Sequence, residues 1–177
     1  MANPTMTLIS SQTVGAGGVA SVTFSSIPAT YTDLVVKVSV RNNNTGMRVQ
    51  FNSDTAANYS WRRLDANGAS AFSDSNATFG SPYNTFLYFS MQSTTTDTAN
   101  TFSNGEMYVP NYTGSTQKSA FFDSVAENNA TTAYMAMQAG LWTGTAAITT
   151  VTLSPDTGTS PAFSANSTFY LYGIKNS

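Results

Sequence analysis

Asp156-Thr157-Gly158-Thr159-Ser160 is the segment whose residue types and order most directly spell out a reaction. An Asp-Thr-Gly loop of this kind, brought against a second copy, lets two aspartates share one proton and activate a water for peptide hydrolysis. The surroundings argue against that chemistry. The loop occurs once, and Ser154-Pro155 precedes it where an apolar strand would have to support it. Asp54, Asp65, Asp74, Glu106 and Glu127 supply carboxylates for glycoside hydrolysis, which needs an acid on each side of a sugar, but their spacing selects no pair. The chain has no histidine and no cysteine, which removes the commonest general base, the thiol nucleophile and most transition-metal ligand sets.

Gly15-Ala16-Gly17-Gly18 lacks the lysine of a phosphate-binding loop and reads as a hairpin turn. Asn52 and Asp54 offer two oxygen ligands to a calcium ion, with no third at regular spacing. No catalytic residue, cofactor or metal ligand is therefore expected.

Binding chemistry is better represented. Tyr59-Ser60-Trp61 followed by Arg62-Arg63 combines aromatic and guanidinium groups, the ingredients of sugar-stacking platforms and of interface hot spots. The first residues, Ala2, Asn3, Pro4, Thr5 and Met6, read as a flexible arm that orders on contact. These five residues with Trp61, Arg62 and Arg63 are the expected partner contacts. Asn-X-Ser/Thr triplets at Asn43, Asn58, Asn76, Asn111, Asn129 and Asn166 follow from a composition in which Ser, Thr and Asn exceed a third of the chain.

Only 9% of residues are charged, against a usual figure of about 25%. Four arginines and three lysines with a net charge of −2 leave no basic face for nucleic acid. No stretch approaches the roughly 20 apolar residues of a membrane helix, and the start lacks the basic and apolar regions of a secretory signal. The expectation is a soluble chain, complete from its own initiator. Polarity carried by hydroxyls and amides suits strands with a solvated face and disfavours surface helices.

Period-2 alternation is the dominant pattern. Strands are expected at Thr5 to Val14, Val19 to Phe24, Leu34 to Arg41, Met47 to Phe51, Asn58 to Leu64, Thr85 to Met91, Phe102 to Val109, Lys118 to Val125, Ala133 to Trp142, Ala147 to Leu153 and Thr168 to Ile174. Leu34 to Arg41 and the C-terminal strand carry apolar residues on both faces and should lie inside sheets. Asn67 to Asn76 and Ser93 to Asn100 are poor in apolar residues and read as long loops. In Ala133 to Leu141 the alternation of Met135, Met137 and Leu141 favours a strand over a helix. One domain over residues 1–177 is expected, all-β, an antiparallel two-sheet β-sandwich of jelly-roll-like form, with residues 1–6 as the arm.

Five stretches carry a resemblance: Thr13 to Arg41, Phe51 to Asp54 with Asn58-Tyr59-Ser60, Met107 to Tyr112, Leu141-Trp142 with Ala146 to Leu153, and Phe163 to Ser167 leading into Leu171-Tyr172-Gly173-Ile174. Together they resemble small β-sandwich structural proteins of tailed bacteriophages. The resemblance implies a virion part without catalytic residues, made in the host bacterial cytoplasm. A capsid decoration or cement protein on the outer capsid surface is favoured, since the chain is one domain without a stalk or a baseplate anchor. It implies the major capsid protein in the assembled lattice as partner, and self-association as a homotrimer. The alternative within the resemblance is a tail-fibre or receptor-binding module recognising host surface carbohydrate.

Overall fold

The computed structural model describes residues 5–43, 46–68, 70–75, 84–90, 94–126, 129, 133–156 and 162–175. Its strands are β1 (Met6–Thr13), β2 (Val22–Phe24), β3 (Asp33–Val40), β4 (Gly46–Phe51), β5 (Tyr59–Asn67), β6 (Ser70–Ser75), β7 (Leu87–Ser90), β8 (Ser103–Val109), β9 (Lys118–Ala126), β10 (Tyr134–Trp142), β11 (Val151–Pro155) and β12 (Thr168–Ile174). No helix occurs among the described residues. Eight strands form a sheet in the order β1-β12-β3-β8-β9-β10-β5-β6, and four form a second in the order β2-β11-β4-β7. Every ladder is antiparallel. The division is unequal, eight strands against four, whereas a jelly roll distributes its eight strands over two sheets.

The alternation that makes each strand also makes the core. Leu34, Val36, Val38 and Val40 of β3 point inward with Met107 and Val109 of β8 and Leu171 of β12. Val22, Val49, Leu87 and Leu153 of the smaller sheet close over them. Phe89 of β7 and Phe122 of β9 meet between the layers with ring centroids 5.0 Å apart. Full burial of each such side chain is worth about 1.5–3 kcal/mol, while a partly exposed ion pair such as Lys37–Glu106 contributes about 1 kcal/mol at most. Packing, not charge, holds this sandwich together.

Both strands expected inside sheets are inside: β3 lies between β12 and β8, and β12 between β1 and β3. Val35, on the outward face of β3, is buried beneath its cross-strand neighbours Tyr172 and Tyr108. Three expectations need correction. Residues 70–75, expected in a loop, form β6 and pair with β5 from Arg62↔Ser75 to Asn67↔Ser70. Gly15 to Gly18 is not a hairpin, because β1 and β2 belong to different sheets and the segment crosses between them. Gly18 still provides the left-handed turn, at φ 68°, with its N–H donating to the Gly15 carbonyl. Thr5 and Met6 are not part of an arm: Met6 pairs with Ile174, and the Lys175 N–H donates to the Thr5 carbonyl at 2.9 Å. Ala2, Asn3 and Pro4 lie outside the described residues.

Buried polar groups fix the connections. Arg41 forks into the segment after residue 93, donating from Nη1 to the Thr98 carbonyl (2.5 Å) and from Nη2 to the carbonyls of Asp97 (2.7 Å) and Thr95 (3.2 Å). The part of the 93–100 loop that is described is thus pinned by a guanidinium. Lys118 is fully buried and donates to the carbonyls of Gly114 (2.7 Å), Thr116 and Thr145 (3.3 Å), and its burial lowers the pKa of the ammonium.

Candidate functional site

The Trp61-Arg62-Arg63 triplet is split by the strand that carries it. Successive side chains of β5 point to opposite faces, so Trp61, Arg63 and Asp65 turn toward the smaller sheet while Arg62 and Leu64 turn away from it. Trp61 packs on the edge of the core with its ring 5.2 Å from that of Tyr88. The Arg63 guanidinium sits among the rings of Tyr88 (5.0 Å), Phe72 (5.8 Å) and Trp61 (5.9 Å). Its Nη1 lies 3.2 Å from Asp65 Oδ2 without the alignment of a hydrogen bond, and its Nη2 lies 3.3 Å from Asp74 Oδ2. Burial pushes the Asp65 carboxyl up, Arg63 opposes this, and Asp74 adds to it. The arrangement is a cation held between rings and carboxylates, with the Asp65 side chain only 3% exposed. A sugar oxygen has no access to that carboxyl, and the part-buried Trp61 ring is engaged by Tyr88 and Arg63.

Several of the other acids hold structure. Asn52 and Ser53 take left-handed backbone angles, φ 52° and 56°, which turn the chain sharply after β4. The turn is locked from both sides. Asn52 Oδ1 accepts from the N–H groups of Thr149 (2.8 Å) and Thr150 (3.2 Å). Asp54 accepts from Trp142 Nε1 (2.7 Å), Asn58 Nδ2 (2.8 Å) and the Ala56 N–H (2.9 Å). Burial raises the Asp54 pKa, but these donors outweigh it and the net direction is downward. Asp156 Oδ1 accepts from Arg48 Nε at 3.0 Å; Thr157 to Ser160, the rest of that loop, lie outside the described residues, as does Glu127. Glu106 pairs with Lys37. Among the described residues no three acids converge as a metal-binding group would require.

The largest unspent feature is a surface. On the outward face of the eight-stranded sheet, Leu64 of β5, Met135 and Met137 of β10, and Phe121 and Val125 of β9 are between 44% and 63% exposed. The ladders make them neighbours: Met137 stands opposite Leu64, Met135 opposite Val125, and Ala139 between Phe121 and Arg62. Shallow hollows of about 660 Å³ and 520 Å³ lie along this band, both reaching Phe121 and Met137. Asp123 lies within the band, opposite Met137 and between Phe121 and Val125 along β9, while Arg62 on β5 and the Lys37–Glu106 pair on β3 and β8 border it.

Sequence reasoning identified the β10 strand and its Met135-Met137-Leu141 alternation but gave no sign that this set faces outward. The inward set is Ala136, Gln138, Gly140 and Trp142. Gln138 and Ser124 point inward because β7 is the edge of the smaller sheet and its backbone needs partners. Gln138 accepts from the Ser90 N–H (2.8 Å) and donates to the Tyr88 carbonyl (3.1 Å), and Ser124 Oγ donates to the Ser90 carbonyl (2.6 Å). The signal available in the sequence was the doubled apolar run Tyr134-Met135-Ala136-Met137 broken by a lone Gln138. No protein-family model matches the chain, and no curated protein matches it.

Proposed function

We propose that this protein is a structural component of a bacteriophage virion, a capsid decoration or cement protein that binds the assembled shell from outside and stabilises it. One observation carries the reading: a broad sheet face of exposed Leu, Met, Phe and Val side chains on a domain with 9% charged residues. Exposed apolar bands of this extent mark surfaces that an assembly covers. The resemblance to phage β-sandwich proteins supplies the kind of assembly, and the residues carrying it, Asp54, Tyr59 and Trp142 among them, meet at one packed corner of the fold. The partner is the major capsid protein in its lattice, the copies associate as homotrimers, and the chain is made in the host cytoplasm before joining the outer capsid surface. No reaction is assigned to it.

The tail-fibre alternative requires an open aromatic or polar platform for carbohydrate, and Trp61 is engaged with Tyr88 and Arg63 instead. Location on the particle decides between the two. Imaging intact virions with a label specific for this chain should show many copies distributed over the head. Label confined to the tail would reject the decoration reading.

A further inference from the structure

We propose that Asn67-Gly68, at the turn between β5 and β6, is a site of spontaneous deamidation, at which the Gly68 nitrogen attacks the Asn67 side-chain amide and leaves an aspartate or isoaspartate linkage in the chain. The inference goes beyond the virion reading and does not depend on it.

The Asn-Gly dipeptide occurs twice, at Asn67-Gly68 and at Asn104-Gly105, and the chemistry open to both is the same. The glycine nitrogen gives up its proton to hydroxide and forms a bond to the asparagine Cγ. The Cγ–Nδ2 bond breaks, and ammonia leaves after taking a proton from water. Water then opens the resulting five-membered imide. Cleavage at the Cγ–N bond gives aspartate, and cleavage at the main-chain carbonyl gives isoaspartate, in which the chain runs through Cβ. Glycine favours the step because it has no Cβ to obstruct the ring and its backbone turns freely. Water and hydroxide are the only co-reactants.

What separates the two copies is how the sheet holds the glycine. Both asparagines are exposed, so access of water does not distinguish them. Asn104 and Gly105 lie in β8 with a strand on each side, Gly105 standing opposite Val38 of β3 and Ser124 of β9. Backbone groups there are engaged in the ladders, and bringing the Asn104 Cγ onto the Gly105 nitrogen requires β8 to leave its neighbours. Asn67, by contrast, is the last residue of β5 and ends two ladders at once, Asn67↔Tyr134 against β10 and Asn67↔Ser70 against β6. Gly68 lies beyond both ladders, exposed, in the left-handed region at φ 54°. Rotation of Asn67 onto the Gly68 nitrogen therefore needs only the fraying of a terminal pair. The isoaspartate product puts an extra atom into the main chain just before the turn, which disturbs the register of β6. That strand brings Phe72 and Asp74 to Arg63.

The test is prolonged incubation of the full-length protein at neutral and alkaline pH, read by peptide mass mapping and by enzymatic methylation specific for isoaspartate. Asn67 should convert about a hundredfold faster than Asn104, the contrast between a fraying strand end and a central strand. Its rate should rise in proportion to hydroxide, and each event adds one negative charge to the −2 of the chain. Asn67→Gln should abolish the early charge shift, whereas Asn104→Gln should leave it unchanged. In urea, where neither ladder exists, the two positions should convert at similar rates. Aged protein should exchange amide hydrogens faster than fresh protein at residues 70–75, and unchanged exchange there would overturn the effect on β6. A folded-state ratio below about tenfold, or a ratio that persists in urea, overturns the inference.

Discussion

The backbone N–H of Ser90 donates to the side-chain oxygen of Gln138 at 2.8 Å, a bond between the sheets that, with buried Trp142, holds this face of β10 inward. Ser90 ends β7, the edge strand of the smaller sheet among the described residues. Gln138 accepts from Ser90 and donates to Tyr88 as a neighbouring strand would. Because side chains alternate, an inward Gln138 forces Met137 outward. The apolar band is thus the outward counterpart of that capped edge, and it remains available for assembly.

Gln138→Ala removes both halves of that cap and leaves a buried N–H and a buried carbonyl to find other partners. The expected loss is about 2–3 kcal/mol in urea unfolding, with the slope unchanged. A variant as stable as wild type would show that β7 is held by packing alone.

Gly173 of β12 lies under Tyr31, and a methyl group there would stand 2.2 Å from Tyr31 Cγ. The ring is held by its neighbours, so Gly173→Ala should cost about 1–3 kcal/mol through overpacking. Thermal unfolding measures this directly; Gly173→Ala paired with Tyr31→Ala should recover part of the overpacking cost if the clash is the cause.

Acid should weaken the Asn52–Asp54 corner. The Asp54 pKa in the folded chain lies below its ordinary value of 3.8, so the carboxylate contributes stability that is present above that value and is lost as pH falls through the folded pKa. Asp65 has the opposite sign: its raised pKa means that burial of the charge disfavours folding at neutral pH, and protonation relieves this as pH falls through the raised folded value. Asp54→Asn should therefore flatten the acid limb of the stability profile below about pH 4, whereas Asp65→Asn should steepen the decline. An Asp54→Asn profile parallel to wild type would contradict the assignment.

Most strands were legible because alternation in β3, β8, β9 and β12 is a local property of the chain. β6 was not legible, since Ser70 to Ser75 is polar and joins the sheet by its backbone at an edge. The Gly15 to Gly18 segment announced a turn, but which sheet receives the next strand depends on partners far away in sequence. The Trp61-Arg62-Arg63 triplet was visible as chemistry, and strand alternation explains why it is not one site. The outward band was hidden for a different reason: apolar residues on β10 read as core until Gln138 is known to face Ser90, a contact 48 residues apart.

Attachment to an assembled shell is tested most directly by co-sedimenting the purified protein with particles that lack it, at low salt and at about 1 M salt, where exposed ion pairs are screened within about 3 Å and apolar contacts persist. The account predicts retention on shells at both salt concentrations and none on unassembled capsid subunits. Release by salt, or equal binding to free subunits, would contradict it.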